Sequence, residues 1–221
     1  MLKNIKELKS YKVMGKDKDK IGKVEDFYFK RKDKDLSLEY IVVNPKRLLE
    51  RKNKDRIIIP KNNLDCGEKD LVVEKIFSVD LGKEEAQKQF KVEEDKVETV
   101  VSEKSNDYLK NTEEIIGAEI HMDDDTEDVY QLKDFYLEEK NWNVPYFVIK
   151  GEKTRFSTKQ ALIPKELIKE IDLIEKQIKL NVSSNIIQNA PDFDYAIPLE
   201  RTYEEILCDY YKIPGHWSKE E

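Results

Sequence analysis

The stretch Ile21-Gly22-Lys23-Val24-Glu25-Asp26-Phe27-Tyr28-Phe29 carries apolar residues at Val24, Phe27 and Phe29 between polar ones, the pattern of a strand with one face toward a core. It recurs as Val129-Tyr130-Gln131-Leu132-Lys133-Asp134-Phe135-Tyr136-Leu137, with Asp134 standing 108 positions after Asp26. Landmarks on either side repeat in the same order. Ser10-Tyr11-Lys12-Val13 is answered by Gly117-Ala118-Glu119-Ile120, Tyr40-Ile41-Val42-Val43 by Tyr146-Phe147-Val148-Ile149, and Ile58-Ile59-Pro60 by Leu162-Ile163-Pro164. The offset drifts from 107 at Val13 to 106 at Tyr40 and 104 at Pro60, so the changes in length fall between strands, where loops absorb them. The chain therefore reads as two copies of one small β unit.

A length of 221 residues accommodates one large domain or two of about 100 residues, and the repeat decides for two. Charged residues make up 39% of the chain, yet Ile, Val, Leu, Phe and Tyr gather into short runs. Such clustering argues for folded β units with heavily solvated surfaces rather than disorder. No apolar run approaches the length that spans a bilayer, and Met1-Leu2-Lys3-Asn4-Ile5-Lys6 lacks the apolar centre of a signal peptide, so a cytoplasmic location without membrane insertion is expected. Cys66 and Cys208, one in each half, argue against a disulfide framework. The net charge of -7 is unevenly spread: residues 1–80 hold 21 Lys and Arg against 15 Asp and Glu, and residues 81–221 hold 19 against 32.

Along the first copy, residues 5–14 read as a lead-in and first strand, Lys23–Arg31 as a second and Leu36–Asn44 as a third. Arg56–Ile59 and Leu71–Lys75 supply further strands. Gly22 follows the polar turn Lys16-Asp17-Lys18-Asp19-Lys20 and offers either a positive φ or a close backbone approach. About six short strands in such a span suggest a small barrel. Residues 82–90 suit one or two helical turns, and Val92–Glu103, which has no clear period, reads as linker. In the second copy Tyr130 stands where Gly22 stood, so its hairpin must differ. Leu199–Lys212 has Tyr203, Ile206, Leu207, Tyr210 and Tyr211 at helical spacing and is closed by Pro214-Gly215.

Candidate chemistry is sparse. Asp123-Asp124-Asp125 with Glu127, Asp128 and the neighbouring His121 could offer oxygen ligands to a hard cation, but the run lacks a calcium loop's glycine and closing Glu, and a solvated turn explains it. His121, His216, Cys66 and Cys208 do not form the paired spacing of a structural zinc site. Asp26 and Asp134 hold equivalent places, which fits one repeated hydrogen-bonding role better than an acid–base pair. The seven glycines form no phosphate loop. No catalytic residue, cofactor or metal is expected from these patterns. Tyr203, Tyr210, Tyr211 and Trp217 could form a recognition patch or pack the tail onto the strands. The basic residues Lys46, Arg47, Arg51, Lys52, Lys54 and Arg56 are candidate contacts for an anionic partner, or a solvated loop interleaved with Glu50 and Asp55.

The residues Ile21-Gly22-Lys23-Val24-Glu25-Asp26-Phe27 and Tyr40-Ile41-Val42-Val43 make each copy resemble a PRC-barrel, the β-barrel domain shared by the photosynthetic reaction-centre H subunit and a ribosome-maturation factor. The whole chain resembles the tandem PRC-barrel proteins of bacteria. Marks of that group are Tyr108-Leu109-Lys110-Asn111-Thr112-Glu113-Glu114-Ile115-Ile116-Gly117, Trp142, and the tail Arg201-Thr202-Tyr203-Glu204 with Asp209-Tyr210-Tyr211 and Pro214-Gly215-His216-Trp217. The resemblance implies a mainly β fold of two tandem six-stranded barrels: residues 1–90 for the first, 91–105 a linker, 106–190 for the second and 191–221 a C-terminal helical tail. It carries no reaction. The expected function is that of a non-enzymatic scaffold or adaptor acting through protein contacts, with homo-oligomerisation possible. The alternative, argued by analogy and from the basic first copy, is an RNA- or ribosome-associated assembly factor.

Overall fold

The computed structural model describes residues 2–9, 11–45, 55–65, 76–104, 109–124, 130–153, 157–194 and 197–215. In the first half these fold as β1 (Leu2–Asn4), α1 (Ile5–Leu8), β2 (Lys12–Met14), β3 (Lys20–Lys32), β4 (Asp35–Asn44), β5 (Asp55–Pro60), β6 (Leu64–Asp65), β7 (Ile76–Val79), α2 (Lys83–Phe90), β8 (Lys91–Glu93) and α3 (Val97–Lys104). The second half repeats the plan with β9 (Leu109–Asn111), α4 (Thr112–Ile115), β10 (Glu119–His121), β11 (Tyr130–Glu138), β12 (Tyr146–Lys153), β13 (Ser157–Pro164), β14 (Ile168–Asp172) and β15 (Gln177–Leu180). Two helices, α5 (Ser184–Gln188) and α6 (Arg201–Tyr211), follow. The sequence expectation of a strand over Leu71–Lys75 lies outside the described residues.

The protein is mainly β and its sheets curl. Among the described residues one sheet runs β6-β7-β2-β3-β4-β5-β8 and the other β13-β12-β11-β10-β15-β14. Reversed, the second path repeats the first strand for strand from β6 to β5. The strands β2 and β7, like β10 and β15, pair in parallel, and their neighbours in antiparallel.

The two short lead-in strands are exchanged. β1 lies antiparallel on β11, with Leu2 opposite Glu138 and Asn4 opposite Tyr136, whereas β9 lies on β3, with Tyr28 opposite Asn111 and Lys30 opposite Leu109. Both arms read Leu-Lys-Asn and both end in a one-turn helix. Asn4 Oδ1 accepts from the Glu7 amide at 2.7 Å, and Asn111 Oδ1 from the Glu114 amide at 2.9 Å, each satisfying a free N–H of the first turn. Glu114 returns a carboxylate oxygen to the Asn111 amide, completing a capping box.

Strand β3 keeps Val24, Phe27 and Phe29 on the core side although the first step is three residues, because a bulge between Val24 and Asp26 absorbs the extra one. A bulge between Leu132 and Asp134 does the same in β11. Asp26 Oδ1 accepts from the Phe27 amide at 2.9 Å and Asp134 Oδ1 from the Phe135 amide at 2.7 Å, so each carboxylate satisfies a backbone donor beside the disrupted ladder. Gly22 has no positive φ; a Cβ there would stand 2.4 Å from the Asn44 carbonyl oxygen, so close approach is what it supplies. In the second half the relation is reversed: Tyr130 lies opposite Gly151, where a Cβ would meet its ring at 2.4 Å.

Val24, Phe27, Phe29, Ile41 and Val43 are buried, as are Leu132, Phe135, Leu137, Phe147 and Ile149, but they belong to one continuous cluster rather than to two cores. Phe29 meets Phe135 edge-on with ring centroids 4.9 Å apart, and Phe77 meets Trp142 at 5.8 Å. Trp142 adopts φ 61, a backbone region that large side chains rarely occupy, and its carbonyl accepts from the Leu38 amide at 2.8 Å. Residues 91–104, read from sequence as linker, are structured: Val97 and Val101, one turn apart, cover Tyr28, Val42 and Ile58 on the outer face of β3, β4 and β5.

Candidate functional site

The C-terminal pair α5 and α6 is the part of the described surface where apolar side chains face outward in sequence proximity. Period and burial set the orientation of α6. Glu204, Leu207, Cys208 and Tyr211, spaced three and four apart, face the sheet, while Ile206 is 50% exposed. Helical spacing in the sequence grouped Ile206 with Tyr203, Leu207, Tyr210 and Tyr211 as one apolar stripe; the buried glutamate on the packed face disguised the true one. Tyr203 and Tyr210 flank it half-buried, donating their hydroxyls to the Asp192 and Ile186 carbonyls at 3.1 and 2.7 Å. Tyr203 also contacts the Phe193 ring, which lies edge-on to Tyr136. The three described tyrosines of the proposed recognition patch therefore seat the helix, and Trp217 lies outside the described residues.

Ile206 precedes Tyr210 by one turn, and the Tyr210 hydroxyl reaches the backbone of Ile186, so the exposed Ile186 and Ile206 share one side of the helical pair. Ile197, 58% exposed, lies on the segment joining the helices. Around them Asp194, Glu200, Glu205 and Asp209 are exposed. Beneath the helix, the Tyr146 hydroxyl hydrogen-bonds the Glu204 carboxylate. Burial pushes the Glu204 carboxyl above its ordinary value, opposed by that bond, and pushes the Tyr146 phenol and Cys208 thiol up as well. Cys208 is a buried free thiol.

The residues singled out by sequence are scattered by the fold. Arg56 is 3% exposed, its guanidinium shared between Glu25, on the β3 bulge, and Glu94. Its fork faces inward onto carboxylates of the same chain, which corrects its placement among the contacts for an anionic partner. Lys46, Arg47, Arg51, Lys52 and Lys54 lie outside the described residues, as do Cys66, Asp125, Glu127, Asp128 and His216. Asp124 accepts from the Ser184 amide and hydroxyl at the start of α5, and Asp123 pairs with Lys169 at 2.8 Å, so both take part in fixing loops. His121 stands beside Glu119 at 3.6 Å. Among the described residues no three His, Cys, Asp or Glu side chains are grouped as metal ligands, and no helix is long and apolar enough to cross a membrane.

Residues 2–79 match the family model of the PRC-barrel domain, from β1 through β7. The matched stretch is not a closed structural unit, since its first strand pairs with β11. No curated protein matches the chain.

Proposed function

We propose that the protein is a non-enzymatic scaffold built of two tandem six-stranded PRC-type barrels, and that it works through protein–protein contacts made by the α5–α6 face. The observation that carries this reading is the outward set of Ile186 and Ile206 on a helical pair whose opposite side is packed against the core, with the exposed Ile197 on the segment that joins the two helices. Isolated apolar residues on a surface need no explanation, but three of them on the segment from 184 to 211, bordered by exposed acids, form a place for a partner with an apolar stripe and basic flanks. A continuous core beneath the face supports a rigid docking surface, which loses little freedom on binding.

A photo-activated cross-linker at position 206 in the native cell, with one at the exposed Ile174 as control, tests the reading by mass spectrometry of the adducts. The expected result is a protein adduct specific to position 206 that survives nuclease and is lost when Ile186 and Ile197 are changed to Glu. Adducts that vanish with nuclease would favour the RNA-associated alternative, and equal labelling from both positions would remove the contact face.

A further inference from the structure

We infer that the cavity between the two exchanged arms binds a small amphiphilic carboxylate, an apolar chain ending in one anionic group. This does not rest on the α5–α6 contact face. The cavity, about 360 Å³, is walled by equivalent positions of the two arms: Ile5 and Thr112, Lys6 and Glu113, Lys9 and Ile116, with Lys133 and Asp134 of β11 closing one side. Its volume is that of a small-ligand pocket. It exists because the arms cross over, bringing α1 onto β11 and α4 onto β3. The Lys6 amide donates to Asp134 Oδ2 at 3.3 Å and fixes α1 in place.

The lining sets the ligand's chemistry. Ile5 and Ile116 supply an apolar wall, against which a chain gains by leaving water. Thr112 is 4% exposed and its hydroxyl is buried with no hydrogen-bond partner. A hydroxyl so placed is destabilising while empty-handed and becomes satisfied when a ligand oxygen meets it. Three lysines against two carboxylates leave the wall net positive, and the charges are unequal in availability. Asp134 already accepts from the Phe135 and Lys6 amides, and Lys9 pairs with Asp26 at 3.0 Å. The exposed Lys6 and Lys133 at the rim are placed to meet an anionic end, with Lys133 giving up its 3.0 Å bond to Gln131.

The full chain is titrated with butanoate, hexanoate and octanoate, and with octylamine and octanol as charge controls, by calorimetry and by methyl NMR of isoleucine-labelled protein. Octanoate should bind at least tenfold more tightly than octylamine or octanol and more tightly than butanoate, and should shift the Ile5 and Ile116 methyl signals but not those of Ile186 and Ile206. Lys6→Glu with Lys133→Glu should weaken octanoate at least tenfold, and Thr112→Val several-fold, with melting temperatures checked in parallel. Absence of binding, equal binding of the amine, or a response confined to Ile186 and Ile206 would each overturn the inference. So would an unchanged affinity in folded Thr112→Val and Lys6→Glu proteins.

Discussion

Glu204 shows how one side chain can be set against its surroundings. Burial beneath α6 raises its carboxyl above the ordinary 4.5, and the bond from Tyr146, with Arg201 nearby, recovers only part of the loss, while Glu138 and Glu205 add to it. A carboxyl raised in the folded state contributes its full stability below its unfolded value and loses it as pH rises through the folded value. Wild-type protein should therefore lose melting temperature relative to Glu204→Gln as pH rises above about 4.5. Glu139, also raised by burial, works in the same direction and will leave a residual slope. Differential scanning calorimetry of both proteins across that range checks this; parallel curves would remove Glu204 as the cause. Some of this scale was legible in the sequence. Asp26 and Asp134 read as a repeated structural pair and act as one, and Gly22, read as supplying either a positive φ or a close approach, supplies the close approach. The pairing of Tyr130 with Gly151 was not legible, because a cross-strand contact compensates for the lost glycine from a position 21 residues away.

Secondary elements follow the same division between local and distant causes. Strands β3 and β11 were readable from alternation, β4 and β12 from short apolar runs, and α6 from helical spacing, since these signals reside within each segment. The exchange of β1 and β9 leaves a local trace, the shared Leu-Lys-Asn followed by Glu three residues after Asn, yet the trace does not say which sheet each arm joins. That choice depends on tertiary packing. The connector over 91–104 went unread as helix because Val97, Val100 and Val101 are β-branched and weak helix formers, held in place by Tyr28, Val42 and Ile58. Capping holds the arm's end. Replacing Asn111 with Ala should destabilise the protein by about 1 kcal/mol through loss of the cap on α4. Urea unfolding measures it, and a control change at exposed Glu113 should cost less.

At the level of the whole molecule, most of the buried apolar residues of both halves share one cluster, joined where Phe29 meets Phe135 and Phe77 meets Trp142, with a smaller cluster under α3 on the outer face of the first sheet. The repeat made two separate cores the natural expectation; what it could not convey is that the two sheets bury their apolar residues in the same cluster. Phe29→Ala should cost about 3–5 kcal/mol. Because the core is shared, unfolding should remain one transition when followed by tryptophan fluorescence and by circular dichroism, and two separated midpoints would show that the halves melt independently. The exchanged arms also impose an order on synthesis. While the chain is being made, the edge of β3 at Tyr28–Lys30 waits unpaired until residues 109–111 have left the ribosome, and β1 has no partner until 136–138 follow. Contacts so far apart in sequence form late and slowly. For that interval the nascent first half carries an open strand edge, the form of exposure that invites pairing with the wrong chain, so the moment of greatest danger for this fold precedes its completion.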